Sequence, residues 1–252
     1  MQHIPYSGMR RSIGQYVRLA SRINPVGITT EVRADGLKEF CAERTVTVTP
    51  VLMKLIADTA GQYPLMNALL ARDIFFRKRI YLPDDVAVAV AIEKKHKNEL
   101  FVMTPVVSRV NRKSLSSLSR ELDDLSQRPL EHMPDIGLRL TLNRLPEFMQ
   151  YLVLRVISRS ARLSERFFGS IGLSNLGKYG VVDFSPVWVN TIVFGVGGIF
   201  EKPIADKGLI RVAPVLHLTL SFNHCVLDGA LASRILAAVR ERVEARHYLQ
   251  LA

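Results

Sequence analysis

Cysteine is almost absent: Cys41 and Cys225 are the only two in 252 residues. Two isolated thiols without ligand spacing make neither a disulfide framework nor a zinc site, so no metal is expected. Long apolar runs are missing as well. No stretch reaches the ~20 apolar residues that a bilayer-spanning helix needs. Residues Met1 to Gly8 lack the charged and then apolar regions of a signal peptide. A cytoplasmic location is the resulting expectation. Acidic residues are in deficit, with 23 Asp and Glu against 34 Lys and Arg and a formal charge of +11. That balance favours anionic partners such as nucleic acid, a membrane surface or a phosphate-bearing ligand. The cations are spread along the chain, without zinc-finger spacing or a ribonucleoprotein-type aromatic motif, so nucleic acid is not indicated. Internal repeats and low-complexity linkers are also missing. What is present, with 48% hydrophobic residues, is a globular chain able to bury a substantial core, read as one domain over 1–252.

Periodicity then sketches the elements. Ile13, Tyr16, Val17 and Ala20 share one side of a helix that starts near Met9 and ends at Asn24-Pro25. A short strand runs over Ile28 to Val32, and Asp35 is placed to cap a helix reaching Glu43. A helix from Pro50 to Gln62 follows, with proline in its first turn. Residues Ile74 to Ile80 read as a strand pair turning near Arg77-Lys78-Arg79. Strands at Val86 to Ile92 and Leu100 to Val107 flank a lysine-rich loop, and Ser114 caps a helix through Leu125. Residues 129 to 145 look irregular. A helix covers Pro146 to Phe168, and strands at Ser170 to Gly177 and Ile192 to Ile199 follow. Pro203 to Gly208 reads as a hairpin turn, and the chain returns through Leu209 to Val215. Intermixed helices and strands make the class α/β or α+β, with a mixed sheet flanked by helices.

The stretch with most chemistry is Leu218-Thr219-Leu220-Ser221-Phe222-Asn223-His224-Cys225-Val226-Leu227-Asp228-Gly229. An alternating strand ends on a histidine, an Asp-Gly follows, and a helix-like run extends from Leu231 to about Glu244. A histidine at a strand end can be aimed as a general base. The same residues also suit a core histidine followed by a helix-capping Asp-Gly, and on this stretch alone the two stand level. Strand alternation turns Cys225 to the face opposite His224, where it reads as a small packed residue.

Four stretches occur in a telling order: Met9-Arg10-Arg11-Ser12-Ile13; Met103-Thr104-Pro105-Val106-Val107 with Asn111-Arg112-Lys113-Ser114-Leu115; Leu173-Ser174-Asn175-Leu176-Gly177; and Asn223-His224 to Asp228-Gly229. Together they resemble the catalytic domain of the dihydrolipoamide acyltransferases of 2-oxo acid dehydrogenase complexes, a family that shares the chloramphenicol acetyltransferase-like fold. The resemblance runs from about Arg10 to Arg242. It implies a homotrimer with each active site in a channel between two subunits, and coenzyme A or acyl-CoA as a substrate. His224 falls on the family's base. Ser174 falls on its oxyanion donor. Asp228 falls on an aspartate that braces the site by pairing with an arginine of the first helix, here Arg10 or its neighbour Arg11. A thiol of ordinary pKa near 8.5 is a weak nucleophile until deprotonated, so the reaction needs such a base.

Three departures stand out. Asn223 and Cys225 flank the histidine where the family usually has Asp and Arg. No lipoyl domain, subunit-binding domain or Ala/Pro linker precedes the catalytic region, so a stand-alone enzyme, or one served by a partner's carrier domain, is expected. The link between Leu115 and Ser174 is longer than the family's, with an inserted basic amphipathic helical segment at about 129–168. There Arg155, Arg159, Arg162 and Arg166 form a stripe, and Phe148, Leu152, Val156, Leu163 and Phe167 an apolar side. Such a segment suits an acidic carrier protein, an anionic membrane or a cover for an acyl channel, although a helix packed on the core is favoured. The leading expectation is a coenzyme A-dependent acyltransferase moving an acyl group between a thioester and a thiol, hydroxyl or amine. The alternatives are a non-catalytic trimeric scaffold of the same fold and a condensation-type enzyme using carrier-bound acyl groups.

Overall fold

The computed structural model of the protein describes residues 8–23, 25–73, 75–96, 99–133 and 136–251. Residues 1–7, Asn24 and Ile74, on which parts of the sequence reading fell, lie outside the described residues, as do the links at 97–98 and 134–135.

Two long antiparallel strands, β9 (Ile192–Asp206) and β10 (Leu209–Asn223), form the spine of a six-stranded mixed sheet. β1 (Pro25–Arg33) pairs antiparallel with β10, while β8 (Ile171–Asn175) runs parallel to β9. β4 (Val88–Val90) is parallel to β8, and β7 (Val106–Val107) closes the edge. The expected turn at Pro203 to Gly208 shrinks to Lys207-Gly208. Both residues have positive φ, which a tight hairpin turn requires, and Pro203 sits inside β9 opposite Val212.

Alternation along β10 sends Leu216, Leu218, Leu220 and Phe222 into the main core. There they meet α2 (Leu37–Glu43), α3 (Val48–Ala60), α4 (Leu115–Gln127) and α8 (Gly229–Glu244). Ser114 caps α4 by accepting from the Ser117 N–H. Asp35 does not cap α2. Left-handed Gly36 takes that position, and Asp35 pairs with Arg211 at 3.2 Å. α3 begins two residues ahead of Pro50, which the first turn tolerates because its N–H groups have no helical partner.

The opposite face carries α1 (Gly8–Ala20), α5 (Ile136–Asn143), α6 (Glu147–Arg159) and α7 (Ala161–Phe168). Leu19, Ala20, Ile157, Phe168 and Val189 form a second, smaller core there. Three expectations fail in this half of the molecule and beside it. Residues 136–143 are helical. The helix expected over Pro146 to Phe168 breaks at Ser160, whose side chain caps α7. The lysine-rich loop is a hairpin, β5 (Ile92–His96) with β6 (Glu99–Met103). The hairpin is pinned by Lys94, a buried residue whose Nζ donates to the carbonyls of Ser126 and Arg128 at the end of α4. Burial, and then the charge of Arg128, hold its ammonium below the usual lysine range. A second hairpin, β2 (Leu69–Arg72) with β3 (Lys78–Tyr81), turns around Asp73, which accepts from the Phe75 and Arg77 N–H groups. The turn therefore falls ahead of the expected one: Lys78 and Arg79 lie in β3, and its partner β2 precedes the stretch expected to hold both strands.

Glycines on β8 and β9 let an extended strap, residues 181–188, lie on the sheet. The Gly198 N–H donates to the Val181 carbonyl at 2.8 Å. A Cβ added at Gly197 would stand 1.8 Å from the Val182 carbonyl oxygen, and one at Gly172 would stand 2.8 Å from the Trp188 ring. Overpacking of this kind costs about 1–3 kcal/mol. Gly197→Ala should therefore lower the melting temperature by roughly 2–4 °C per kcal/mol lost, readable by calorimetry.

The two thiols make a second test. Burial pushes the Cys41 thiol up to about 11, whereas Cys225 is exposed. A thiol reagent should modify Cys225 alone in the folded chain and both cysteines after denaturation. Modification of both at similar rates under native conditions would contradict this packing.

Candidate active site

β10 ends at Asn223, and His224 begins the turn that leads to α8. The turn is held by backbone bonds from Val226 and Leu227 to the Asn223 carbonyl. It is also held by the Asn223 side chain, whose Oδ1 accepts from the Cys225 N–H at 2.9 Å. An aspartate could make the same Asx turn, but Asn223 is buried, and a neutral amide is cheaper to bury than a carboxylate. His224 is exposed, with its ring 5.7 Å from that of Phe222, so it is not a core histidine. Asp228 does cap a helix: it is the N-cap of α8 and accepts from the Leu231 N–H at 2.7 Å. Gly229 opens that helix. Cys225 is exposed, not packed. The strand has already ended at Asn223, so alternation no longer decides where the residue after His224 faces.

Ser174 lies on β8 opposite Gly195 of β9. Leu173 points into the main core, so its neighbour Ser174 takes the other face, half-buried. The following turn is fixed by Asn175, which accepts from the Gly177 N–H and donates to Thr49. Two cavities meet at Ser174, sharing Ala91 and Val102 with it. One, of about 270 Å³, is mostly apolar and reaches back to α1, α5 and α6. The other, of about 940 Å³, is bordered by Thr47, Thr49, Glu93, Asp123 and Lys178. Glu93 itself is tied down by Lys178 and Tyr179, whose bonds lower its pKa.

The two residues do not come together within one chain. Gly195 pairs with Thr219, so Ser174 stands level with Thr219, five residues short of His224 and two strands away. At about 3.3 Å per residue and 4.8 Å per strand, the separation is of the order of 15–20 Å. Hydrogen-bond reach to a single reacting carbonyl is about 3 Å. Arg10 is exposed in the first turn of α1. Arg11, beside it, is partly buried, and its Nε is buried without a hydrogen-bond partner among the described residues.

The basic stripe divides. Arg155 and Arg159 of α6 turn toward a cleft of about 370 Å³ that Arg22, Arg72 and Lys78 also line, with Asn223 at its border and no carboxylate among the described residues of its wall. Sequence reading did not single out this cluster, because its cations come from four separate elements. Arg162 and Arg166 belong to α7. The apolar side of α6 is inverted: Phe148, Leu152 and Val156 are 70%, 56% and 54% exposed, while Gln150 is buried. Gln150 donates to the Leu145 carbonyl and accepts from Ser12 of α1, so hydrogen bonding fixes which face packs. No described helix is long and apolar enough to cross a membrane.

The family model for the 2-oxoacid dehydrogenases acyltransferase catalytic domain matches residues 1–133 and 139–251. The dihydrolipoyllysine-residue acetyltransferase component of the pyruvate dehydrogenase complex of Rickettsia felis is 27% identical over 219 residues, which are 85% of this chain and 44% of that protein. The chain thus spans less than half the length of that relative. Among solved structures, the cubic core of the pyruvate dehydrogenase multienzyme complex superposes with a TM-score of 0.74 at 20% identity, covering 99% of this chain and 94% of the other. The dihydrolipoamide acetyltransferase of Azotobacter vinelandii, in which a serine, a histidine and an asparagine were examined for roles in the catalytic mechanism, gives 0.73 at 21% identity, with the same coverages. The mixed sheet with flanking helices is therefore the fold of these acyltransferase cores, and the chain belongs to the 2-oxoacid dehydrogenase acyltransferase catalytic-domain family.

Proposed function

We propose that the chain is a coenzyme A-dependent acyltransferase whose active site is assembled from two copies, His224 coming from one and Ser174 from the next. The observation that carries this reading is the position of Ser174, where an apolar and a polar cavity meet on the face of β8 that turns away from the main core. The distance to His224 along the sheet then calls for a neighbouring chain, and a closed ring of three is the assembly that family membership suggests.

In this reading the imidazole of His224 takes the proton from the attacking thiol, hydroxyl or amine as that group adds to the thioester carbonyl carbon. The oxyanion that forms accepts a hydrogen bond from the Ser174 hydroxyl. Collapse breaks the carbon–sulfur bond, and the departing thiolate takes the proton held by His224. Asp228 is a positioning residue: its cap fixes the start of α8, four residues after the base, and Arg10 or Arg11 is the candidate partner for its free carboxylate edge. Asn223 keeps the turn under His224, so its departure from the family's usual aspartate is compatible with a working base.

The cationic cleft supports the coenzyme as ligand. Five cations without a carboxylate suit its phosphates, and Asn223 on the border is adjacent in sequence to His224. A coenzyme anchored there would present its thiol to the base of the same copy and its acyl group to Ser174 of the neighbour.

His224→Ala should lower turnover by about 10²–10⁴, and Ser174→Ala by about 10²–10³. The decisive measurement is mixing. After subunit exchange, the two inactive variants should recover roughly a quarter of wild-type activity, since half the chains bring each intact residue to an interface. No recovery from well-mixed, folded oligomers would put both residues in one chain's site and sink the two-copy reading. Arg155→Glu with Arg159→Glu should raise the KM for acyl-CoA about tenfold or more with little change in kcat. An unchanged KM would remove the cleft from coenzyme binding.

A further inference from the structure

The apolar cavity beside Ser174 has more room and less polarity than a two-carbon acyl group calls for. Its inner wall is made by Met103 of β6 and Trp188 of the strap, and its far wall by Leu142 of α5 with Leu154 and Ile157 of α6. Among the described residues, no Asp, Glu, Lys or Arg lines it. Several of its polar groups are engaged with one another or with the backbone: the Ser12 hydroxyl bonds the side-chain oxygens of Asn143 and Gln150, and the Trp188 indole N–H donates to the Phe168 carbonyl. A charged acyl group would be left without a partner there, at a large desolvation cost. A methyl group would leave most of the volume unfilled. We infer that this cavity, of about 270 Å³, is the tail pocket for an uncharged, extended acyl chain of several carbons.

The inference rests on the acyltransferase reading and adds the substrate class to it. The carbonyl sits at Ser174, where the cavity opens, and the hydrocarbon tail runs inward toward Leu142 and Leu154. The wall that makes the depth comes from α5 and α6. Each methylene buried there should improve kcat/KM about fourfold until the far wall is reached.

Trp188 is the only tryptophan in the chain and lines the cavity, so occupancy can be read without turnover. The experiment uses the intact protein with acetyl-, butyryl-, hexanoyl-, octanoyl- and decanoyl-CoA, and separately titrates 8-bromooctanoyl-CoA while following tryptophan emission. The expected results are a rising kcat/KM from acetyl to octanoyl and heavy-atom quenching of Trp188 by the bromo compound but not by acetyl-CoA. Leu154→Phe, which fills the far wall, should lower the octanoyl-to-acetyl ratio of kcat/KM about tenfold or more. Leu138→Phe at the rim repeats the test should the first variant melt early. Turnover of acetyl-CoA with a flat or falling chain-length profile overturns the tail pocket and leaves the acyltransferase intact. Absence of quenching, as when a neighbouring copy fills the cavity, overturns it too. Turnover of none of these thioesters overturns the acyltransferase reading instead, and quenching then supports the pocket as an apolar-chain site by itself.

Discussion

The pairing of β9 with β10 is the constraint from which the rest of the molecule follows. Its register aligns Gly195 with Thr219, and the parallel pairing of β8 aligns Ser174 with Gly195. Those two alignments fix the level of Ser174 on the sheet and hold it well short of the strand end where His224 emerges. A slip of one residue would turn Leu216, Leu218, Leu220 and Phe222 out of the core, so burial of those four side chains locks the register. The separation of His224 from Ser174 is thus a consequence of core packing. It is not a loop conformation that could relax. Glycines on the same strands make the other half of the arrangement. They let the strap at 181–188 lie directly on the sheet and hold Trp188 against Gly172, which forms the inner wall of the apolar cavity.

Much of this was legible in the chain because local rules and the fold agree. The Ser114 cap, the alternation through β10 and the Asp-Gly entrance to α8 each carry their own short-range signal. The order of the four motifs pointed to the family before any geometry. What was not legible depended on partners distant in sequence. The segment around Lys94 looks solvated by composition, and only the carbonyls of Ser126 and Arg128 explain why a lysine is buried in a hairpin. The face of α6 was misassigned because Gln150, a polar residue, packs inward through bonds to Leu145 and Ser12, and this exposes Phe148 and Leu152. The cationic cleft was invisible for the same reason. Arg22, the Arg72 and Lys78 pair, and the Arg155 and Arg159 pair lie far apart in sequence, and only the fold gathers them.

Presentation of His224 shows how little covalent difference is needed to keep a turn. The Asx bond from Cys225 N–H to Asn223 and the cap bond from Leu231 N–H to Asp228 bracket the histidine on both sides. Between them the backbone has few torsions left free, so the exposed ring is aimed by its neighbours without being buried. Replacement of a turn aspartate by asparagine keeps the acceptor oxygen and removes a charge from a buried position. It alters the local electrostatics and leaves the geometry in place.

α6 links the apolar cavity and the cationic cleft through helical geometry alone. Leu154 and Ile157 face the apolar cavity, while Arg155, Ser158 and Arg159, the next residues around the helix, line the cationic cleft. At 3.6 residues per turn these sets lie about 100° apart on one rigid rod, so neither wall can move without the other. α1 adds its own share to both, with Tyr16 and Val17 on the cavity and Leu19 at the cleft, and its contacts with α6 through Gln15 and Glu147 tie the two helices together. A ligand that ordered α6 from the cleft side would therefore narrow the distribution of shapes open to the cavity. In a ring of copies, the cleft of one chain and the cavity of the next would be set by the same rigid element in each. The positions of an anionic head and an apolar tail would then depend on how neighbouring copies pack, and so on the sheet register that fixes where Ser174 and His224 stand.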